Sequence, residues 1–212
     1  MVTSIMQEHA QHVLGIEIVF MLEQAEMLLE CMEMPGIPQI AIGKNTSSKK
    51  TSTLPAMLLP RGGELYALYK DGNGSLFART QCHSGVFFLQ EHWQELSNVL
   101  PTDSICRAIV YRNKQGNLQL GVYDLIQLSG VKQTECSIFE RQKIIDSLFK
   151  KASVGPAIVA HWVGEEGCLL QHMKNSVFFD SLPFDIDNML RIVAQPGQED
   201  VYKVVLRPLL IG

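Results

Sequence analysis

Residues 66 to 80 read YALYKDGNGSLFART. The stretch puts a lysine amine at position 70, a carboxylate at 71, a glycine at 72 and a guanidinium at 79. These are groups that a nucleotide-binding site would use: an amine that could attack phosphorus, and cations that could neutralise phosphate. The same stretch also has a hairpin pattern. Alternating apolar positions flank DGNG, which supplies the positive backbone angles of a tight turn. Other catalytic signatures are missing. There is no Walker-type glycine loop, no HExxH and no GxSxG. Of the six histidines only His9 and His12 are close in sequence, and the pair is not read as a metal site. Cys82 and His83 are adjacent, so on a strand they face opposite sides and form no dyad by themselves. The reading therefore holds no metal and no cofactor.

The elements that must position these residues follow from patterning. The chain has 212 residues, 46% hydrophobic and 19% charged, a globular balance. Its net charge is -4, without the basic excess that general nucleic-acid binding needs, so general DNA binding is not expected. Five widely spaced cysteines with no CxxC argue against a disulfide framework or a zinc site. The apolar run VLGIEIVFML is too short to span a bilayer and contains Glu17. An intracellular protein, cytoplasmic or nuclear or both, is expected.

Residues 1–38 are read as a helical N-terminal segment, with Ser4 and Gln7 as a weak capping box. Met6, Met21, Met27, Met32 and Met34 make it sulfur-rich, so it packs on the core or offers a protein partner an adaptable surface. Residues 39–56 read as a loop or linker, and 57–212 as one α+β domain. Within it, GELYALYKDGNGSLFART and SICRAIVYRNKQGNLQLGVYDLIQLSG are hairpins, and a short helix falls around 90–99. SIFERQKIIDSLFKKA is an amphipathic helix with Ile138, Ile144, Ile145, Leu148 and Phe149 on one side. GPAIVAHWV, GCLLQHM, FDIDNMLRIVA and DVYKVVLRPLLI read as further strands.

From residue 64 onward the chain resembles the nucleotidyltransferase fold of polynucleotide ligases and messenger-RNA capping enzymes, and more closely the cap-binding domain of snurportin. YKDG (69–72) lies where the family has its KxDG nucleophile motif, and FART (77–80) where a strand ends in Ser-Arg. VYDLIQLSG (122–130) resembles the aromatic-Asp-hydrophobic strand and glycine turn, and FERQKII (139–145) the helix with Glu-Arg. FDIDNML (184–190) stands for the E-x-D-G strand, with Asp185 for Glu and Asn188 for Gly. VVLRPLL (204–210) stands for Lys-x-Lys-Pro or Trp-Leu-Arg-Pro. The resemblance implies two twisted antiparallel sheets around a groove. No oligonucleotide-binding-fold domain is expected after the last motif.

The departures point away from catalysis. Tyr69 stands at the nucleophile position, and Lys70 is one place late. Gly74 replaces the motif's arginine, Arg107 or Ala108 the metal-facing glutamate, and Val205 the first lysine of the last motif. The expected function is a catalytically inactive, snurportin-like domain in RNA metabolism, binding an RNA cap or nucleotide end or serving as a protein-assembly module. The alternative is a divergent RNA guanylyltransferase or polynucleotide ligase using Lys70. Base stacking would draw on Tyr66, Tyr69, Trp93, Tyr123 or Trp162, and phosphate on Lys70, Arg79, Lys203 or Arg207. The candidate ligand set is Tyr69, Lys70, Arg79, Tyr123, Asp187 and Arg207, while core packing is the competing role for both tryptophans. Residues 1–34 contain no Lys or Arg, so a basic importin-binding segment is not expected there.

Overall fold

The computed structural model describes residues 40–41, 53–80, 86–88, 93–133, 135–152, 155–193 and 201–206. The helix read over the N-terminal segment, the His9–His12 pair, Cys82, His83 and Arg207 lie outside them.

Two mixed sheets carry the domain. In the first, β5 (Val86–Phe88), β4 (Leu76–Thr80), β3 (Glu64–Lys70), β6 (Ser104–Arg112), β7 (Leu118–Leu128) and β8 (Val131–Lys132) lie in that order. A further strand, β9 (Ile158–Ala160), runs parallel to β7. In the second the order is β1 (Ile40–Ala41), β12 (Val201–Leu206), β11 (Ile186–Val193), β2 (Pro55–Pro60) and β10 (Val163–Glu165). Strands β1 and β12 pair in parallel, so neither sheet is wholly antiparallel as expected. The α+β class holds.

Alternation along β3 shows how the layers form. Leu65 and Ala67 join the core between the sheets, with Leu58 of β2, Ile109 of β6 and Leu190 of β11. Tyr66 and Leu68 point the other way, to an outer core closed by two helices. These are α1 (Gln94–Val99), through Leu96, and α2 (Ile138–Ala152), through Ile145. Helix α2 begins with a capping box that the sequence reading passed over. Ser137 Oγ accepts from the Glu140 amide at 3.3 Å, and Glu140 Oε2 accepts from the Ser137 amide at 2.7 Å. Those bonds hold the Glu140 carboxyl below its usual pKa. We expect Ser137→Ala to lower the melting temperature by about 3 °C, read by circular dichroism.

One reading is corrected. GCLLQH is not a strand but helix α3 (Glu166–His172), followed by α4 (Ser176–Ser181). Its apolar residues Leu169 and Leu170 are adjacent, a spacing that fits one flank of a helix as readily as a strand. Arg191 of β11 anchors the start of α3 by two bonds to the Glu166 carboxylate, at 2.6 and 2.7 Å.

Candidate functional site

The YALYKDGNGSLFART stretch folds as the β3–β4 hairpin, with Tyr69 opposite Phe77 and Lys70 opposite Leu76. Asp71 closes the turn: Oδ1 accepts the amides of Asn73 and Ser75 at 3.0 and 2.7 Å. Gly74 takes φ +88°, a conformation that an arginine there would adopt only with strain.

Lys70 projects to the outer layer. Its Nζ donates to the Ser97 carbonyl and, at 2.7 Å, to the Leu100 carbonyl, at the C-terminal end of α1. Carbonyls left open at a helix terminus attract a cation, and Lys70 fills that role. Tyr69 projects to the inner face. Its ring lies 6.5 Å from that of Phe77, at 23° between planes. Burial raises its hydroxyl pKa, as do the charges of Asp103 and Asp71 and a hydrogen bond to Asp103. Arg79, two residues on from Phe77, shares that inner face and is partly buried. Beyond the backbone ladder, no side-chain hydrogen bond or ion pair joins it to another described residue.

The other candidates are dispersed. Tyr123 is wholly buried in the core between the sheets, so its ring has no open face for a base. Asp187 is exposed on β11, at a register shift between Ile186 and Asn188, and accepts from the Asn188 amide group. Tyr66 is buried and donates to Glu64 Oε2 at 2.6 Å. Trp93 is core, 2% exposed, but Trp162 is 51% exposed, against the core packing weighed for it. Lys203 lies on β12. The structure thus brings Tyr69 and Arg79 to one face and puts Lys70 on the opposite one.

Two of the quoted stretches meet. Asp124, from VYDLIQLSG, is wholly buried and accepts from Arg141, of FERQKII, at 2.7 Å from Nε and 3.2 Å from a terminal nitrogen. Arg107 of β6 reaches the same carboxylate at 3.5 Å. Two further bonds are local: Asp124 Oδ1 accepts the Leu125 amide at 2.8 Å, and Arg141 donates to the Cys136 carbonyl at 2.8 Å. Next to Arg141, Gln142 donates to the Tyr123 carbonyl. Register shifts in the β6–β7 pairing, between Ile105 and Cys106 and between Arg107 and Ala108, bend the ladder here. This cluster, two arginines on one buried carboxylate, fixes α2 to the sheet. Arg107 was a sequence-level signal: a charged residue in the otherwise apolar run ICRAIV. Among the described residues, no group of three His, Cys, Asp or Glu side chains could hold a metal ion. Nor is any helix among them long and apolar enough to cross a membrane.

The chain matches no family model and no curated protein sequence. Among solved structures it is similar to the ligase domain of LigD from M. tuberculosis, at 12% identity and a TM-score of 0.47. It is also similar to a mycobacterial DNA ligase D complexed with ATP and MES, at 13% identity and 0.45. Each likeness covers 79% of this chain and 60% of the other, so the chain spans less than two thirds of their length. At these identities the likeness concerns the course of the backbone and assigns no residue a role.

Proposed function

We propose that this is a non-catalytic domain of nucleotidyltransferase-like architecture that works by binding. The observation that carries the reading is Lys70. Its ammonium is held by the Ser97 and Leu100 carbonyls, on the face of β3 opposite Tyr69 and Arg79. A nucleophilic lysine must be neutral and must reach the α-phosphate. Here two carbonyl acceptors occupy the amine, which points into the helix layer and away from Tyr69 and Arg79. Incubation with labelled GTP or ATP and Mg²⁺ should give no covalent adduct. An adduct that disappears in Lys70→Arg, a change that keeps the cation at the helix end, would restore the ligase or guanylyltransferase alternative.

Arg79 favours one mode of binding. Arg79 shares the inner face with the stacked Tyr69 and Phe77 rings, and its side chain has no hydrogen-bond or ion-pair partner among the described residues. Rings for a base and a charge for a phosphate suit the nucleotide end or RNA cap implied by the snurportin resemblance. Retention on cap-analogue resin, competed by free cap analogue and reduced at least tenfold in Arg79→Ala, is the expected result. No retention would leave the protein-assembly reading, with a partner on the Met-rich N-terminal segment.

A further inference from the structure

The face that carries Tyr69, Phe77 and Arg79 ends in an anion. Asp103 stands just before β6, where Ser104 pairs with Lys70 and Ile105 with Tyr69. That register sets Asp103 across from Asp71, at the turn end of the hairpin. Arg79 pairs with Ala67, two residues from Tyr69 in the other direction. The sheet therefore orders three kinds of group along one line: a carboxylate, the rings and a guanidinium. At about 3.3 Å per residue, two residues each way put the ends roughly 13 Å apart. One nucleotide covers that span from its base edge to its phosphate.

Asp103 is held in place. Its backbone takes φ +56°, a region that aspartate tolerates better than most residues. Its carbonyl accepts the Gly130 amide at 2.8 Å and Gln127 Nε2 at 3.0 Å. Its carboxylate accepts the Tyr69 hydroxyl, so it lies at the free end of that ring. Both carboxylate oxygens also lie beside Gly72, where a Cβ would stand 3.7 and 3.9 Å from them. One phenolic proton uses one of about four lone-pair sites on a carboxylate. Asp103 is exposed, so a ligand on the Tyr69 ring reaches the others.

This inference rests on the nucleotide-binding reading above and adds which base is read. A base stacked on Tyr69, with its phosphate at Arg79, turns its Watson–Crick edge toward Asp103. A carboxylate there can only accept. Guanine offers it two adjacent donors, N1–H and N2–H, one for each oxygen. Adenine offers one donor, on N6, beside the N1 acceptor, whose lone pair faces the anion. Cytosine has the same mixed pattern, and uracil has one N–H between two carbonyls. Paired N–H bonds to a charged acceptor are among the strong ones. We infer that Asp103 is the specificity-determining residue of this face and selects a guanine base through its N1–H and N2–H groups.

The test uses the full chain and ligand-observed NMR titrations with four 5′-monophosphates: guanosine, inosine, adenosine and N2,N2-dimethylguanosine. The guanosine form should bind about tenfold more tightly than the adenosine form. The inosine form keeps N1–H but lacks the N2 donor, and should fall between them. The dimethylated form has the same ring with that donor blocked, and should bind no better than inosine. In Asp103→Asn the side chain can accept from N6 and donate to N1 of adenine, so the preference for guanosine should vanish or reverse. Equal affinities for the guanosine and adenosine forms in the native chain would overturn the assignment and leave the nucleotide-binding reading standing. Binding of none of the four would overturn both. A preference unchanged in Asp103→Asn would overturn the role of Asp103. A 5′-phosphorylated GAA trinucleotide distinguishes the sources of the base: competition with the guanosine form points to an RNA end, and its exclusion points to a free nucleotide.

Discussion

Asp124→Asn should destabilise the domain by about 3–5 kcal/mol, a large part of the ~5–15 kcal/mol that holds a typical domain together. The reason is the environment of the carboxylate. Asp124 is wholly buried, Arg107 is 3% exposed and Arg141 7%. With the anion neutralised, the Arg141 guanidinium remains in a low-dielectric layer against an amide that cannot balance its charge, and Arg107 loses one of its partners. The geometry also fails, because the asparagine's –NH₂ is a donor that would face arginine donors at 2.7 to 3.5 Å. Urea unfolding followed by circular dichroism measures the loss. A shift under about 0.5 kcal/mol, the size of an ordinary surface change, would show that the cluster is not structural. A companion variant separates charge from shape. Replacing Asp124, Arg107 and Arg141 together by apolar residues of similar volume should recover most of the loss, since no charge is then left buried alone. Arg141→Met alone should resemble Asp124→Asn, because it leaves the buried Asp124 carboxylate with the Leu125 amide and the 3.5 Å contact to Arg107.

Stability should also fall between about pH 6.5 and pH 4 by about 3 kcal/mol through His161 alone. Burial drives its folded-state pKa down to about 4, against the partial opposition of the Leu58 carbonyl bond. The unfolded chain's imidazole titrates near 6.5. In the window between the two values the unfolded state takes up a proton that the folded state refuses, so acid favours unfolding. The full contribution is present above pH 6.5, is lost progressively as pH falls, and levels off below 4. His161→Gln can keep a donor for the Leu58 carbonyl but cannot titrate. Its stability should therefore change less steeply than the native chain's across that window, by up to about 1.4 kcal/mol per pH unit. Parallel curves for the two proteins would mean that His161 is protonated, or solvated, in the folded state. Gly121 gives a reason for the tight fit. A Cβ there would come within 2.8 Å of His161 Cβ, so the β7–β9 approach depends on a bare backbone beneath the imidazole.

Much of the architecture can be read from local pattern. Both hairpins, the α2 helix and the strand character of FDIDNMLRIVA come from alternation, turn residues and 3.6-residue spacing, all of which act over a few neighbours. GCLLQH failed that approach because six residues are too few to separate the two periods. The glutamate–arginine bond that seats α3 on β11 joins residues 25 apart in sequence, beyond any local window. The motif matches were informative in a limited way. VYDLIQLSG and FERQKII contained the two ends of a buried ion pair, visible as residue types but not as a contact. A strand's alternation implied that Lys70 faces away from Tyr69. That two main-chain carbonyls of α1 occupy its ammonium could not be inferred, since they lie 27 and 30 residues away.

The amino-acid sequence alone determined the α+β class, the hairpin at 66–80, the amphipathic helix after residue 137 and the lack of a basic excess. Each depends on composition or on neighbours a few positions apart. Only the tertiary structure decided which side chains share a space. It buried Tyr123, left Trp162 half exposed and tied Asp124 to Arg107 and Arg141. Burial and pairing are set by how two sheets and their helices stack, and stacking depends on distant residues that no short stretch of sequence contains.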